Sequence, residues 1–424
     1  MSSIGVNAYK NNSSSGCNEQ VITVVDARMG RGKSSAAIRY MNENRNRKRF
    51  LYITPYIKEV ERICESCGFE QPNNDQTTKS ANLKHLMTKG ANISATHSLF
   101  YLMDDETLRL AREQRYSIII DESISPIEKL NITDDDFELL QYLTKCDESG
   151  MVHWLDEGYV GKFSDYKNMA DSRSLLKKDG SLLCVMNPNI LKAFKEVFML
   201  TYMFEGQYQK AYLDFFKFPY HIVGVEQDDN GYFFSDKPDA PPPIDYHKMI
   251  NIYSKYRTRH FCEKYHDLSQ NWYARRGRND TDIKMLRNEM RNFFTSIPDG
   301  SSSTRLWTCF KNEYTKLIFS NGRYKNNFLQ INARATNEYK EKTDLAYMAN
   351  RFIDPNISKF FSVGGVVIDR DKFALSEMLQ WIWRSAIRDG KPINIYIPSV
   401  RMKKLLTDWI DESSRIDNAS KPAC

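Results

Sequence analysis

VITVVDARMGRGKSS, residues 21–35, is the stretch from which the fold can be read. VITVV is an unbroken apolar run rich in β-branched residues, the pattern of a strand buried on both faces of a parallel sheet. The run stops at Asp26. Ala27-Arg28-Met29-Gly30-Arg31-Gly32-Lys33-Ser34 follows and fits [AG]-x4-G-K-[ST], and SSAAIRYMNEN beyond it has a helical character. Strand, glycine-rich loop and helix in that order make a phosphate cradle. The glycines let several N–H groups converge on one phosphate, and the helix N-terminus adds partial positive charge. Ala27, Gly30, Arg31, Gly32, Lys33, Ser34 and Ser35 are therefore nucleotide-binding candidates. Lys33 is placed to reach the β and γ phosphates of ATP, and Ser34 to ligate Mg2+. The rival reading, a chance match in an ordinary strand-turn-helix, is weakened by the flanking pattern.

A magnesium-nucleotide site also needs an acid at the end of a neighbouring strand. RYSIIIDES, residues 115–123, supplies one: SIII is short and apolar, and Asp121-Glu122 stand at its carboxyl end, where open α/β sheets place their ligands. Asp121 is the second metal candidate, and Glu122 the residue that polarises the attacking water. Alone, the pair reads as a solvated acidic turn. Behind a phosphate loop it reads as hydrolytic. RFLYITPYIKEVERI (49–63) and ANISATHSLFYLM (91–103) each read as a strand followed by a helix.

The chain has 424 residues, room for two or three domains, with 41% apolar and 27% charged residues and a net charge of +6. No run of about 18 apolar residues appears, so a membrane-spanning protein is not expected. The first residues lack the apolar core of a signal peptide, which predicts a cytoplasmic protein, in the host cytoplasm if phage-encoded. Residues 1–19 are rich in Ser and Asn and read as a loose tail. Cys64 and Cys67 form a lone CxxC without a partner cluster, which favours reduced thiols over a metal or redox site. The mild basic excess permits a polyanion partner.

The motifs resemble, in order, the signature blocks of superfamily 2 helicases of the DEAD/DEAH-like kind: AxxxxGKS, YITPY, ATH and IIIDES. DES stands where DEAD or DEAH is common. The resemblance implies two tandem RecA-like lobes that hold ATP and act on nucleic acid. It places Thr54-Pro55 and Thr96-His97 on loops touching the sugar-phosphate backbone; without it, turn formation and helix capping explain both pairs. Leu200-Thr201-Tyr202 stands where the family has a Ser-Ala-Thr coupling block. In ALSEMLQWIWRSAIRDGKPINIYIPS (374–399), which reads as helix, Gly turn and strand, Gln380, Arg384 and Arg388 fall four apart. The family's Q-x-x-G-R-x-x-R block makes Arg384 the leading γ-phosphate arginine and Arg388 the second. Trp383 replaces the Gly, and the last Arg comes one position late. The alternative is a solvated basic helix face.

Upstream, TRLWTCFKNEYTKLI (304–318) reads as the first strand and helix of the second lobe. Arg334, Thr336 and Asn337 sit where the family contacts nucleic acid. The RATNEY form joined to the QWIWRS helix resembles phage- and plasmid-borne helicases and viral origin-binding relatives. In KYRTRHFCEKYHDLSQNWYARRGRND (255–280) basic residues interleave with aromatics. Arg275 and Arg276 are candidates for phosphate contacts, with Tyr256, Trp272 or Tyr273 stacking on bases. An aromatic core under solvated arginines is the equal alternative.

These readings together predict an α/β protein of two RecA-like domains, parallel sheets flanked by helices. The tail at 1–19 is followed by domain 1 at 20–215, with an insertion at about 130–195. A linker and accessory helical region follow at 216–300, the PDAPPPIDY run serving as linker, and domain 2 spans 301–424. The expected function is an ATP- and Mg2+-dependent helicase or translocase in phage or plasmid replication. Its partners would be nucleic acid, DNA ahead of RNA, and replication proteins, with no membrane. The alternatives are an ATP-gated DNA-binding initiator that does not unwind and a terminase-type packaging ATPase.

Overall fold

The computed structural model describes residues 20–419 apart from 76, 102, 123, 238–243, 255–262, 299 and 333–338. It divides into two units, Met1–Asp239 with Asp354–Ile368, and Ala240–Ile353 with Asp369–Cys424. The α/β class with parallel sheets flanked by helices is as expected.

In the first unit, β1 (Ile22–Asp26) is followed by α1 (Lys33–Asn44), β2 (Arg49–Thr54), α2 (Ile57–Cys67), β3 (Ile93–Thr96) and β4 (Tyr116–Asp121). Ala36, Ala37 and Met41 of α1 are buried, while Ile63 and Cys67 of α2 join them in a core with Val25, Phe50, Tyr52 and Ile119. α2 ends at Gly68, whose φ of 69° lets its N–H return to Cys64 O.

The insertion begins after β4. It carries β5 (Ile127–Lys129), the hairpin β6 (Thr144–Cys146) and β7 (Val152–Trp154), then β8 (Leu175–Lys178) and β9 (Ser181–Val185). It has a core of its own, in which Leu140, Val152, Phe163, Leu175 and Leu182 meet. The chain then returns to the main sheet with β10 (Glu196–Thr201), α3 (Tyr208–Phe215), β11 (Tyr220–Asp228) and β12 (Gly231–Ser235). The sheet order is β12-β11-β1-β10-β4-β2-β3. All neighbours are parallel except the β11–β12 hairpin. The first unit therefore runs past residue 215, because β11 pairs with β1, register Ile22 to Tyr220.

The second unit has the sheet order β13-β16-β15-β14, all parallel. Its elements are β13 (Ile250–Ile252), α4 (Thr281–Ser296), β14 (Arg305–Thr308) and β15 (Asp344–Tyr347). Next comes α5 (Pro355–Val363), which belongs to the first unit, and then α6 (Arg370–Ile382), β16 (Ile393–Tyr396) and α7 (Val400–Ala419). β13 falls inside the stretch expected to be an accessory helical region, yet it pairs with β16. The helix expected after the strand at 304–318 is also replaced: β14 gives way to turns and a single 3-10 turn at Tyr314–Lys316. Of the linker run at 238–246, residues 238–243 lie outside the described residues.

α5 starts at Asp354, whose carboxylate accepts from Asn356 N (2.8 Å) with Pro355 in the first turn, a strong start signal. Its Phe360 packs on Phe215 of α3, ring centroids 4.8 Å apart. Among the described residues no helix is long and apolar enough to cross a membrane.

Candidate nucleotide-binding site

Parallel register lines up the carboxyl ends of the first sheet. Asp26 pairs with Thr201, Leu200 with Asp121, Ile53 with Ile120, and Thr54 with Thr96. The glycine loop, the acidic pair and the family-derived threonines therefore share one sheet edge.

The loop turns on Gly30 (φ 80°) and Gly32 (φ 78°), both in the left-handed region that favours glycine. A Cβ on Gly32 would also lie 2.4 Å from the Tyr232 ring. Gly32 caps α1 through its backbone, with Ala36 N donating to Gly32 O at 2.8 Å. The helix thus begins at Lys33, and its first-turn N–H groups face the loop, as anion binding requires. The Lys33 amine donates to Ala27 O (2.5 Å) and Arg28 O (3.1 Å), folding back over the loop it would share with a phosphate.

β1 and β4 are separated by β10, yet Ser34 Oγ donates to Asp121 Oδ2 at 3.0 Å. The loop carries the N-terminus of α1 across the end of β10 to the acidic strand. Tyr52 OH donates to the same oxygen at 2.5 Å, and His97 Nε2 lies 3.0 Å from Asp121 O. Burial pushes the Asp121 carboxyl up to about 6, against the hydrogen bond from Tyr52, with the Glu122 and Glu59 charges adding to the rise. A cation at that oxygen would favour the carboxylate again. Glu122 has φ 64°, an uncommon backbone for a non-glycine residue, and its Oε2 accepts from Tyr56 OH at 2.9 Å.

Mg2+ commonly takes one or two protein oxygens, phosphate oxygens and retained waters. The Ser34 hydroxyl and the Asp121 carboxylate are a donor set of that kind, so the residues fit the ion. Among the described residues no group of three or more His, Cys, Asp or Glu could hold a metal without such help.

The other expected residues divide. Thr54 and His97 are buried, while Pro55 and Thr96 are half-buried. Thr201 Oγ1 donates to Gln207 Oε1 (2.7 Å), which ties β10 to the following turn. Trp272 and Tyr273 are buried, so they do not stack on bases; Tyr273 OH donates to Met348 O at 2.6 Å. Arg276 pairs with Asp282 (3.0 Å) and lies over the Trp272 ring at 4.1 Å, whereas Arg275 is exposed. Tyr256, Arg334, Thr336 and Asn337 lie outside the described residues.

Gln380, Arg384 and Arg388 do not share one helix face. α6 ends at Ile382, Arg384 follows in a turn, and Arg388 lies in a 3-10 turn at Ala386–Asp389. Gln380 is half-buried, Arg388 is exposed, and the Arg384 Nη1 is buried without a hydrogen-bond partner among the described residues.

Tyr52, Tyr56 and Tyr232 were not expected at the site. Tyr52 and Tyr232 lie in strands, where a tyrosine reads as core, and Tyr56, between β2 and α2, reads as an ordinary loop residue.

A model of the YonV C-terminal Rossmann-like domain matches residues 244–410, and one of the YonV middle domain matches residues 127–184. Among solved structures, apo XPD aligns with a TM-score of 0.48 and 12% identity over 91% of this chain and 95% of that one. Xpd4 of S. tokodaii aligns with a TM-score of 0.47 and 12% identity over 96% and 95%. Likeness at this level transfers no function. The SPbeta prophage-derived protein YonV of Bacillus subtilis (strain 168) is 37% identical over 411 residues, 92% of this chain and 98% of the relative. With that identity along nearly the full length of both proteins, the chain belongs to the YonV family.

Proposed function

We propose that the protein is a nucleic-acid-dependent ATPase that works as a helicase or translocase, with Lys33, Ser34, Asp121 and Glu122 as the hydrolytic set. The observation that carries the reading is the Ser34 Oγ to Asp121 Oδ2 hydrogen bond of 3.0 Å. It joins a phosphate loop to a strand-end acid across an intervening strand, which neither motif requires alone.

When nucleotide binds, the Lys33 amine leaves the Ala27 and Arg28 carbonyls for the β and γ phosphates. Bound Mg2+ would neutralise phosphate charge during the transfer. Glu122, oriented by Tyr56, takes the proton of the attacking water as the bond from the γ-phosphorus to the bridging oxygen breaks. Arg384, with Arg388 second, is the proposed γ-phosphate arginine. Its buried, unpartnered Nη1 supports a role toward an anion.

The nucleic-acid part rests on the motif resemblance, the net charge of +6 and the exposed Arg275. A phage or prophage setting is supported by the prophage origin of the relative, and a role in replication is proposed from the motif resemblance. Pro55, Thr96, Arg275, Arg334, Thr336 and Asn337 are the proposed contacts to the strand.

The test is the ATPase rate alone and with single-stranded DNA, duplex DNA or RNA, beside a strand-displacement assay. Stimulation with displacement supports the reading. Stimulation without displacement favours the ATP-gated initiator, and no hydrolysis under any condition overturns both.

A further inference from the structure

An open cleft of about 530 Å³ lies beside the phosphate loop, within the usual range of small-molecule sites. Its floor is one face of α1. Ser35, Arg39 and Asn42 line it at steps of four and three, so it rises two helical turns, about 11 Å, from the phosphate end. Its other wall is the turn of the β11–β12 hairpin, with Asn230 and Tyr232.

The hairpin is clamped in place. Arg39 Nη1 donates to Asp228 Oδ1 (2.7 Å) and to Gly231 O (3.4 Å), while Arg39 Nε donates to Glu43 (2.9 Å). The half-buried Tyr232 ring lies against Gly32 at a distance only glycine tolerates. Asn42 is held at the cleft by its Nδ2, which donates to Ser66 O (3.2 Å).

The cleft opens at Ser35, next to Lys33 and Ser34 at the start of α1, so it adjoins any phosphate held on the loop. We infer that this cleft receives the base and ribose, and that Tyr232 is the ring on which the base stacks. The assignment rests on the phosphate-site reading and deepens it: the site takes a nucleoside triphosphate and distinguishes it from an inorganic polyphosphate through the hairpin. An aromatic ring suits this because every base has a π-face.

The experiment titrates the full chain, in the presence of Mg2+, with ATP and separately with inorganic tripolyphosphate. Tyr232→Leu keeps apolar bulk over Gly32 without the ring, and Tyr232→Phe keeps the ring. The expected result is ATP affinity lowered about 10-fold or more in Tyr232→Leu, tripolyphosphate affinity unchanged, and both retained in Tyr232→Phe. Equal weakening of both ligands would make Tyr232 a prop for the loop and overturn the inference, as would unaltered ATP binding. Lys33→Ala serves as the separate control. If it binds tripolyphosphate as the wild type does, the phosphate site itself is misassigned. A readout independent of variant folding is photolabelling of the wild-type chain with an azido-adenine nucleotide. Label within residues 35–43 or 228–235 supports the inference, and label confined elsewhere overturns it.

Discussion

At the scale of single residues, the site depends on a few groups with no spare role. Lys33→Ala should reduce ATP hydrolysis by about 100-fold or more, since a fixed charge on the transferring phosphate is lost. Glu122→Gln should leave ATP binding near normal while turnover falls by about 100-fold or more. Steady-state ATPase assays with parallel nucleotide titrations check both, and normal turnover in either variant removes that residue from the chemistry. Gly32→Ala tests the loop differently. The φ of 78° and the 2.4 Å approach of the Tyr232 ring both oppose a Cβ. The left-handed backbone alone should cost about 1–2 kcal/mol, visible as a lower melting temperature; wild-type stability would mean the loop is not held as described. Lys33, Ser34 and Asp121 were legible in the sequence because each lies in a short contiguous motif. Tyr52 and Tyr56 were not, because their hydroxyls meet Asp121 and Glu122 from a segment far away in the sequence.

At the scale of elements, hydrophobic periodicity located β1, α1 and β4 well and failed where long-range bonds take over. α6 stops at Ile382 although the four-residue spacing of Gln380, Arg384 and Arg388 continues. Ser385 Oγ donates to Ile382 O (2.6 Å), and Ala386 N is claimed by Lys342 O (3.0 Å), leaving no helical path forward. The sheet is also pinned by polar groups away from the site. Lys48 Nζ donates to both carboxylate oxygens of Glu196 (2.7 and 2.9 Å), and Ser117 Oγ donates to Oε2 (2.8 Å). Burial opposes ionisation of Glu196, but the hydrogen bonds from Lys48 and Ser117 outweigh it and hold the carboxyl below its usual range. A depressed folded-state value means the stabilisation is present above the unfolded value, about 4.3, and is lost as pH falls through the folded one. Glu196→Gln should therefore cost about 1 kcal/mol at pH 7, roughly 2–4 °C in melting temperature. The gap from the wild type should close in melts below about pH 4. A gap that persists in acid would assign the effect to packing.

For the whole molecule, the chain path matters more than any motif. Residues Asp354–Ile368 belong to the first unit although the residues on either side belong to the second. Phe360 and Phe361 of α5 are fully buried there, and a Cβ on Gly364 would come within 2.5 Å of the Phe215 ring. Phe360→Ala should cost about 3–5 kcal/mol, and calorimetry should show the loss in the transition of the first unit; an unchanged transition would mean α5 contributes little to it. Arg384→Ala is the corresponding test of the second unit. It should slow ATP hydrolysis far more than it weakens ATP binding, whereas the reverse pattern would make Arg384 a structural residue. The sequence by itself determined the glycine loop between β1 and α1, the acidic end of β4 and the α/β class, because those rest on contiguous residues and on the periodicity of buried strands. Only the tertiary structure decided that β11 and β12 complete the first sheet, that β13 joins the second, that Trp272 and Tyr273 are core, and that Tyr232 stands over Gly32. Those outcomes depend on which distant strand or side chain fills each space, and pairing and packing between segments far apart in the chain leave no local pattern to read.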